Sequence, residues 1–194
     1  KLRCLRFDRI VTVTMQCLAN MVALWPCLEE LVAPLIDVMS MRGSVNVLRN
    51  LGKHCPLLRV LNLYCSDVAQ ADVDFLTQNC TQLHTLQLTF NPLHQTESIC
   101  CSNAANLREL SLYNEPTLFD EDLLLLVSTC PKLRAIRMTV KWPIPFKCRD
   151  VRIVQTIARQ CPYLIDFWVS MCSTAVWEAL VALQAQRKRA SHIT

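Results

Sequence analysis

Hydrophobic residues fall in a spaced triplet that returns along the whole chain. Residues 55–63 read Cys-Pro-Leu-Leu-Arg-Val-Leu-Asn-Leu, an apolar skeleton of the form Cys-x-x-Leu-x-x-Leu-x-Leu. It recurs as Cys80, Leu83, Leu86 and Leu88, and again as Cys130, Leu133, Ile136 and Met138. The first apolar marker is Leu2, Leu28, Leu58, Leu83, Leu107, Leu133 and Leu164 in turn, in steps of 24 residues (Leu83 to Leu107) to 31 (Leu133 to Leu164). The second marker follows three residues later: Leu5, Leu31, Leu61, Leu86, Leu110, Ile136 and Phe167. The third lies two further on: Phe7, Ala33, Leu63, Leu88, Leu112, Met138 and Val169. Seven registers with all three positions apolar make internal repetition the main property of the sequence.

Two apolar positions two apart share one face of a short strand, and the residues between them point to the other face. Helical periodicity follows each strand. Helices are predicted at about 15–24, 45–51, 97–103 and 174–186, around Val73, Phe75 and Leu76 before Cys80, from Leu123 to Val127 before Cys130, and near Asp150. Asp120 or a neighbour can cap the helix before Cys130, with Glu121 and Asp122 favourable in its first turn. One strand and one helix every ~25 residues predicts an α/β fold, a leucine-rich repeat solenoid. That fold is a right-handed β-α superhelix with a curved parallel sheet on its concave face and helices on its convex face. A lone repeat cannot bury its apolar face, so the stack stands or falls together. The repeats are assigned to residues 1–186 and a basic C-terminal tail to 187–194, the last helix serving as a cap. The outer side of the first strand is uncovered, so further chain is expected before Lys1. Two irregularities stand out: Asn91-Pro92 breaks the fourth repeat, and residues 139–147 form an insertion in the sixth.

Composition narrows the function classes. Hydrophobic residues make up 52% and charged residues 19%, which predicts a large core. Two glycines in the whole chain withdraw support from folds built on glycine-rich phosphate loops. The net charge is +4, of which Arg187, Lys188 and Arg189 supply three. The body is nearly neutral, so no nucleic-acid footprint is expected, and the tail reads as a solvated end. Twelve cysteines would suit a disulfide-rich secreted protein. Yet Cys55, Cys80, Cys130 and Cys161 recur at one point of the repeat, where a small apolar side chain suits a buried corner. That points to free thiols in a reducing compartment, cytoplasm or nucleus. Cys100 and Cys101 read as helix residues rather than a redox pair. No Cys-x-x-Cys occurs and no Cys/His spacing fits zinc, so no metal or other cofactor is expected. The charge-free run of residues 10–28 is interrupted by Thr12, Thr14, Gln16, Asn20 and Pro26, which argues against a membrane span.

The skeleton resembles the cysteine-containing leucine-rich repeats of F-box/LRR proteins. Cys55-Pro56-Leu57-Leu58-Arg59-Val60-Leu61-Asn62-Leu63-Tyr64-Cys65 matches that repeat through its second cysteine. Cys130-Pro131-Lys132-Leu133 and Cys161-Pro162-Tyr163-Leu164 match its opening. The second cysteine is missing from most of the other repeats, and the F-box is absent from these residues. The resemblance implies the substrate-recognition domain of an F-box-like ubiquitin-ligase receptor. An F-box adaptor would then join through a preceding segment. The alternative is a scaffold subunit of a larger assembly without a ubiquitin role.

No catalytic constellation is visible, and no enzyme is expected. His54, His84, His94 and His192 are scattered. His54 reads as a helix C-terminal cation rather than a base for Cys55. Binding is expected on the outward strand positions, whose mixture of charges and aromatics suits a protein partner rather than a nucleic acid, membrane or small molecule. Tyrosine, tryptophan and arginine are the usual anchors of protein interfaces. The candidates are Tyr64, Gln87, Glu109, Tyr113, Arg137 and Trp168. Trp142 and Phe146 in the inserted loop would stand at the rim, either as contacts or as cover for the repeat edge.

Overall fold

In a computed structural model of the chain, residues 1–7, 15–34, 47–65, 68–90, 101, 104–115, 120–140, 150–169 and 173–191 are described. Seven strands form one all-parallel sheet whose spatial order is the chain order, β1 to β7. The elements run β1 (Cys4–Arg6), α1 (Met15–Val22), β2 (Glu30–Ala33), α2 (Val47–His54), β3 (Val60–Cys65), α3 (Gln70–Asn79), β4 (Thr85–Phe90), β5 (Glu109–Glu115), α4 (Asp120–Thr129), β6 (Ala135–Val140), α5 (Arg152–Gln160), β7 (Asp166–Val169) and α6 (Thr174–Ser191). The predicted helix at 97–103 lies outside the described residues except for Cys101, which is buried.

Strand pairing follows the repeat register. Leu31 stands beside Leu61, Leu61 beside Leu86, Leu86 beside Leu110, Leu110 beside Ile136 and Ile136 beside Phe167. These residues and the third-marker row from Ala33 to Val169 are buried, whereas their strand neighbours face outward and are mostly half-exposed. The buried face joins apolar residues of the helices, such as Leu51, Leu76, Leu126 and Ile157, in one continuous core. Each such leucine contributes about 1.5–3 kcal/mol by burial. At the first strand the cover thins: Leu2 is exposed, and Leu5 and Phe7 are half-buried.

The entrance to each strand is a repeated turn. The first-marker N–H donates to the carbonyl three residues back: Leu28 to Trp25, Leu58 to Cys55, Leu83 to Cys80, Leu107 to Ala104, Leu133 to Cys130 and Leu164 to Cys161. Cys55, Cys80, Cys130 and Cys161 are buried at this corner. Their thiols are also donors across repeats. Cys80 Sγ reaches the Cys55 carbonyl at 3.3 Å, Cys130 Sγ the Cys101 carbonyl at 3.2 Å, and Cys161 Sγ the Val127 carbonyl at 3.0 Å. Cys55 Sγ lies 3.5 Å from the Val22 carbonyl. Carbonyls at helix C-termini lack partners within their own helix. Each thiol thus supports the corner of the preceding repeat.

The final helix does not stop at Gln186. It runs through Arg187, Lys188 and Arg189 to Ser191. Arg187 is half-buried, and its guanidinium donates to the carbonyls of Leu164 and Ile157, the latter at 2.9 Å. This residue is therefore part of the packed end of the chain rather than a solvated tail.

Candidate functional site

The face of the sheet turned away from the helices carries three rows of side chains, set by the pairing register. The first row is Cys4, Glu30, Val60, Thr85, Glu109, Ala135 and Asp166. The second is Arg6, Val32, Asn62, Gln87, Ser111, Arg137 and Trp168. Tyr64, Thr89 and Tyr113 are neighbours in the third. Rows across a sheet are ~4.8 Å apart from strand to strand. Gln87, Ser111, Arg137 and Trp168 thus stand in line over β4 to β7, with Ser111 itself buried, and Glu109 stands in the adjoining row on β5.

All six candidates on the strands lie on this face. Trp168 is 43% exposed, an unusual placement for a large apolar ring on a sheet. Glu109 is exposed, and Tyr64, Gln87, Tyr113 and Arg137 are half-buried. Burial raises the Tyr64 phenol above its ordinary range, so it remains a neutral hydrogen-bonding group. Trp142 and Phe146 lie outside the described residues.

Charges at the two ends of this face are organised in the same diagonal way. Arg6 on β1 reaches Glu30 on β2 at 2.6 Å, and Arg137 on β6 pairs with Asp166 on β7. The Arg6 guanidinium, mainly by its hydrogen bond, holds the Glu30 carboxyl below the usual range. Between the pairs the face is mostly uncharged and rich in amide and hydroxyl groups: Asn62, Thr85, Gln87, Ser111 and Thr89. The Asn62 Oδ1 atom is buried and has no hydrogen-bond partner among the described residues.

Asn114 shapes the region beside Tyr113. Its φ of 60° is left-handed, a conformation that asparagine tolerates better than most residues. The β5–β6 register shifts between Leu112 and Glu115 at this point. Asn114 donates its N–H to Thr139 Oγ1 at 2.9 Å and its side-chain amide to the Phe90 carbonyl at 3.3 Å. One residue thereby links β4, β5 and β6. The sequence reading passed over Asn114, and likewise the two diagonal ion pairs. Their signal was available: aligned repeats place each arginine two positions after the acid's position and one repeat earlier.

The arrangement offers hydrogen-bonding amides, two phenols, an indole and a paired guanidinium on a rigid surface, which suits recognition of a polypeptide. Among the described residues, no group of three His, Cys, Asp or Glu side chains is placed to hold a metal ion. No described helix is long and apolar enough to cross a membrane. The sequence matches no family model and no curated protein.

Proposed function

We propose that this chain is a leucine-rich repeat solenoid serving as a protein-recognition module, the substrate-binding part of an F-box-like ubiquitin-ligase receptor. The observation that carries the recognition reading is the outward row Gln87, Ser111, Arg137 and Trp168, flanked by Tyr64, Tyr113 and Glu109. In a curved stack these strands line the concave side, where a partner can touch several repeats at once. Exposed Trp168 and the Arg137 guanidinium are the side-chain types that concentrate binding energy. The ubiquitin-ligase part of the reading rests on the Cys-Pro-x-Leu repeat and its resemblance. The corner cysteines Cys55, Cys80, Cys130 and Cys161 carry free thiols, which agrees with a reducing cytoplasm or nucleus.

Two experiments test the two parts separately. Co-purification of the full-length protein with an F-box adaptor subunit is expected, and its absence favours the scaffold alternative. For the recognition surface, partners of the wild-type chain are compared with those of the triple variant Tyr113→Ala/Arg137→Ala/Trp168→Ala. Binding is expected to weaken at least about tenfold, with circular dichroism unchanged. Unchanged binding by a folded triple variant removes this face from consideration.

A further inference from the structure

A separate row of side chains stands at the strand entrances, one residue before each strand's first outward position. In chain order it reads Arg3, Glu29, Arg59, His84, Arg108, Arg134 and Ile165. The backbone holds this row in line. Each carbonyl accepts two N–H groups from the next repeat: Arg59 from His84 and Thr85, His84 from Arg108 and Glu109, Arg108 from Arg134 and Ala135, Arg134 from Ile165 and Asp166.

The beginning of the row shows what an acid does there. Glu29 sits between two guanidinium groups, Arg3 at 3.5 Å and Arg59 at 3.3 Å. Further along, no acid occupies the row. His84, Arg108 and Arg134 follow on consecutive strands, and the two arginines are exposed and make no ion pair among the described residues. The accumulated charge is felt locally. Burial is the main cause that lowers the affinity of half-buried His84 for a proton, and Arg108 and Arg59 lower it further, against an opposing pull from Glu109. Lys132, exposed in the turn before Arg134, adds a further cation and hydrogen-bonds Asn106 at 2.6 Å.

We infer that the Arg59–His84–Arg108–Arg134 row binds an acidic, extended protein segment, whose carboxylates reach the guanidinium groups of Arg108 and Arg134 as the Glu29 carboxylate, from the strand between them, reaches those of Arg3 and Arg59. The dimensions agree. Four adjacent strands span about 14 Å, and three acids at alternate positions of an extended peptide span about the same distance on one side. The end of the row is apolar: Ile165 is 67% exposed and Tyr163 is 60% exposed. An apolar residue two positions after the last acid, on the same side of the extended segment, would cover them. A nucleic acid fits less well, because among the described residues no aromatic ring interleaves with the arginines for base stacking.

The row lies outside the three rows of the sheet face, so loss of this binding and loss of binding at Tyr113 and Trp168 are separable. The probe is a fluorescein-labelled peptide, Glu-Ser-Glu-Ser-Glu-Ser-Ile, followed by fluorescence anisotropy against the 194-residue chain. The control peptide carries Gln in place of each Glu. The acidic peptide is expected to bind and the Gln peptide to bind at least about tenfold more weakly. In Arg108→Gln/Arg134→Gln the acidic peptide is expected to lose about five- to tenfold in affinity, while Arg189→Gln on α6 leaves it unchanged. In the wild-type chain, raising the salt from about 0.05 M to about 0.5 M is expected to weaken it, since exposed charges are screened. Equal binding of the two peptides overturns the assignment. So does undiminished binding by the folded double variant, salt-independent binding, or tighter binding of a mixed-sequence single-stranded RNA at the same salt.

Discussion

Each repeat cysteine fills a corner that needs a small apolar side chain able to donate one weak hydrogen bond to the preceding repeat. Burial raises these thiols from an ordinary 9.0 to about 11 for Cys55 and Cys161 and about 12 for Cys80, and it raises Cys65, at the end of β3, to about 12 as well. The folded chain therefore keeps protons that the unfolded chain releases. Stability contributed by these groups is complete below pH 9 and is lost as pH rises from there toward the folded values. Urea unfolding is expected to show stability falling by up to about 1.4 kcal/mol per pH unit for each titrating thiol between about pH 9 and about pH 11. A flat profile would contradict this use of the thiols. Gly52 tests packing at the same scale. A Cβ there would lie 2.9 Å from Phe75 Cδ1 and 3.2 Å from the Leu76 Cα. Phe75 also lies under the Arg49 guanidinium, 5.3 Å from the ring centre. Alanine at an open helix position gains up to about 1 kcal/mol over glycine. Here the backbone contact with Leu76 outweighs that gain, because α2 and α3 must separate, and Gly52→Ala is expected to destabilise by about 1 kcal/mol in thermal or urea unfolding.

Among the elements, α6 differs from the helices before it in how it closes the corner next to it. At the ends of α1, α2 and α4, a cysteine of the following repeat reaches a helix carbonyl. After α5 the Arg187 guanidinium does so, donating to Ile157 and Leu164. A planar guanidinium offers several donors and can serve two carbonyls at once. Arg187→Ala is expected to cost about 1–3 kcal/mol, since hydrogen bonds to a charged group are lost. Hydrogen exchange should quicken first in α6 and the end of α5, with β3 and β4 little affected. Arg189→Ala on the exposed side of α6 serves as the control and should change little. Equal effects of the two variants would remove the capping role from Arg187.

Across the molecule, every strand pairs only with its neighbours in the chain. Among the described strands the order nowhere reverses, the point at which doubly wound α/β proteins bind nucleotides. The useful surfaces of the sheet are long faces and edges, the geometry that suits extended protein partners. Stability should also be graded along the stack. Leu86 on β4 is fully buried with strands on both sides, whereas Leu5 on β1 is half-buried with one neighbouring strand. Leu86→Ala is expected to cost about 2–5 kcal/mol in urea unfolding. Leu5→Ala should cost roughly half that or less, because less area leaves water there on folding. Amide protection should likewise be highest over β3 to β6 and decline toward β1. Equal costs at Leu5 and Leu86 would show that the first strand is as well packed as the centre.

The sequence by itself determined the repeat, the seven strands, their outward and inward positions and the corner cysteines. These are one-dimensional properties: a period of two within each strand and a recurring triplet between strands, both countable along the chain. The outward candidates Tyr64, Gln87, Glu109, Tyr113, Arg137 and Trp168 followed from the same count. Only the tertiary structure decided which side chains meet across repeats. Arg137 finds Asp166 twenty-nine residues away, the Cys161 thiol finds the Val127 carbonyl, and Asn114 joins three strands. The charge run at 187–189 looks solvated from its local composition, yet Arg187 turns inward, where its guanidinium donates to the carbonyls of Leu164 and Ile157. Such contacts depend on how far the chain travels before it returns beside itself, and the variable repeat length sets that distance separately for each pair.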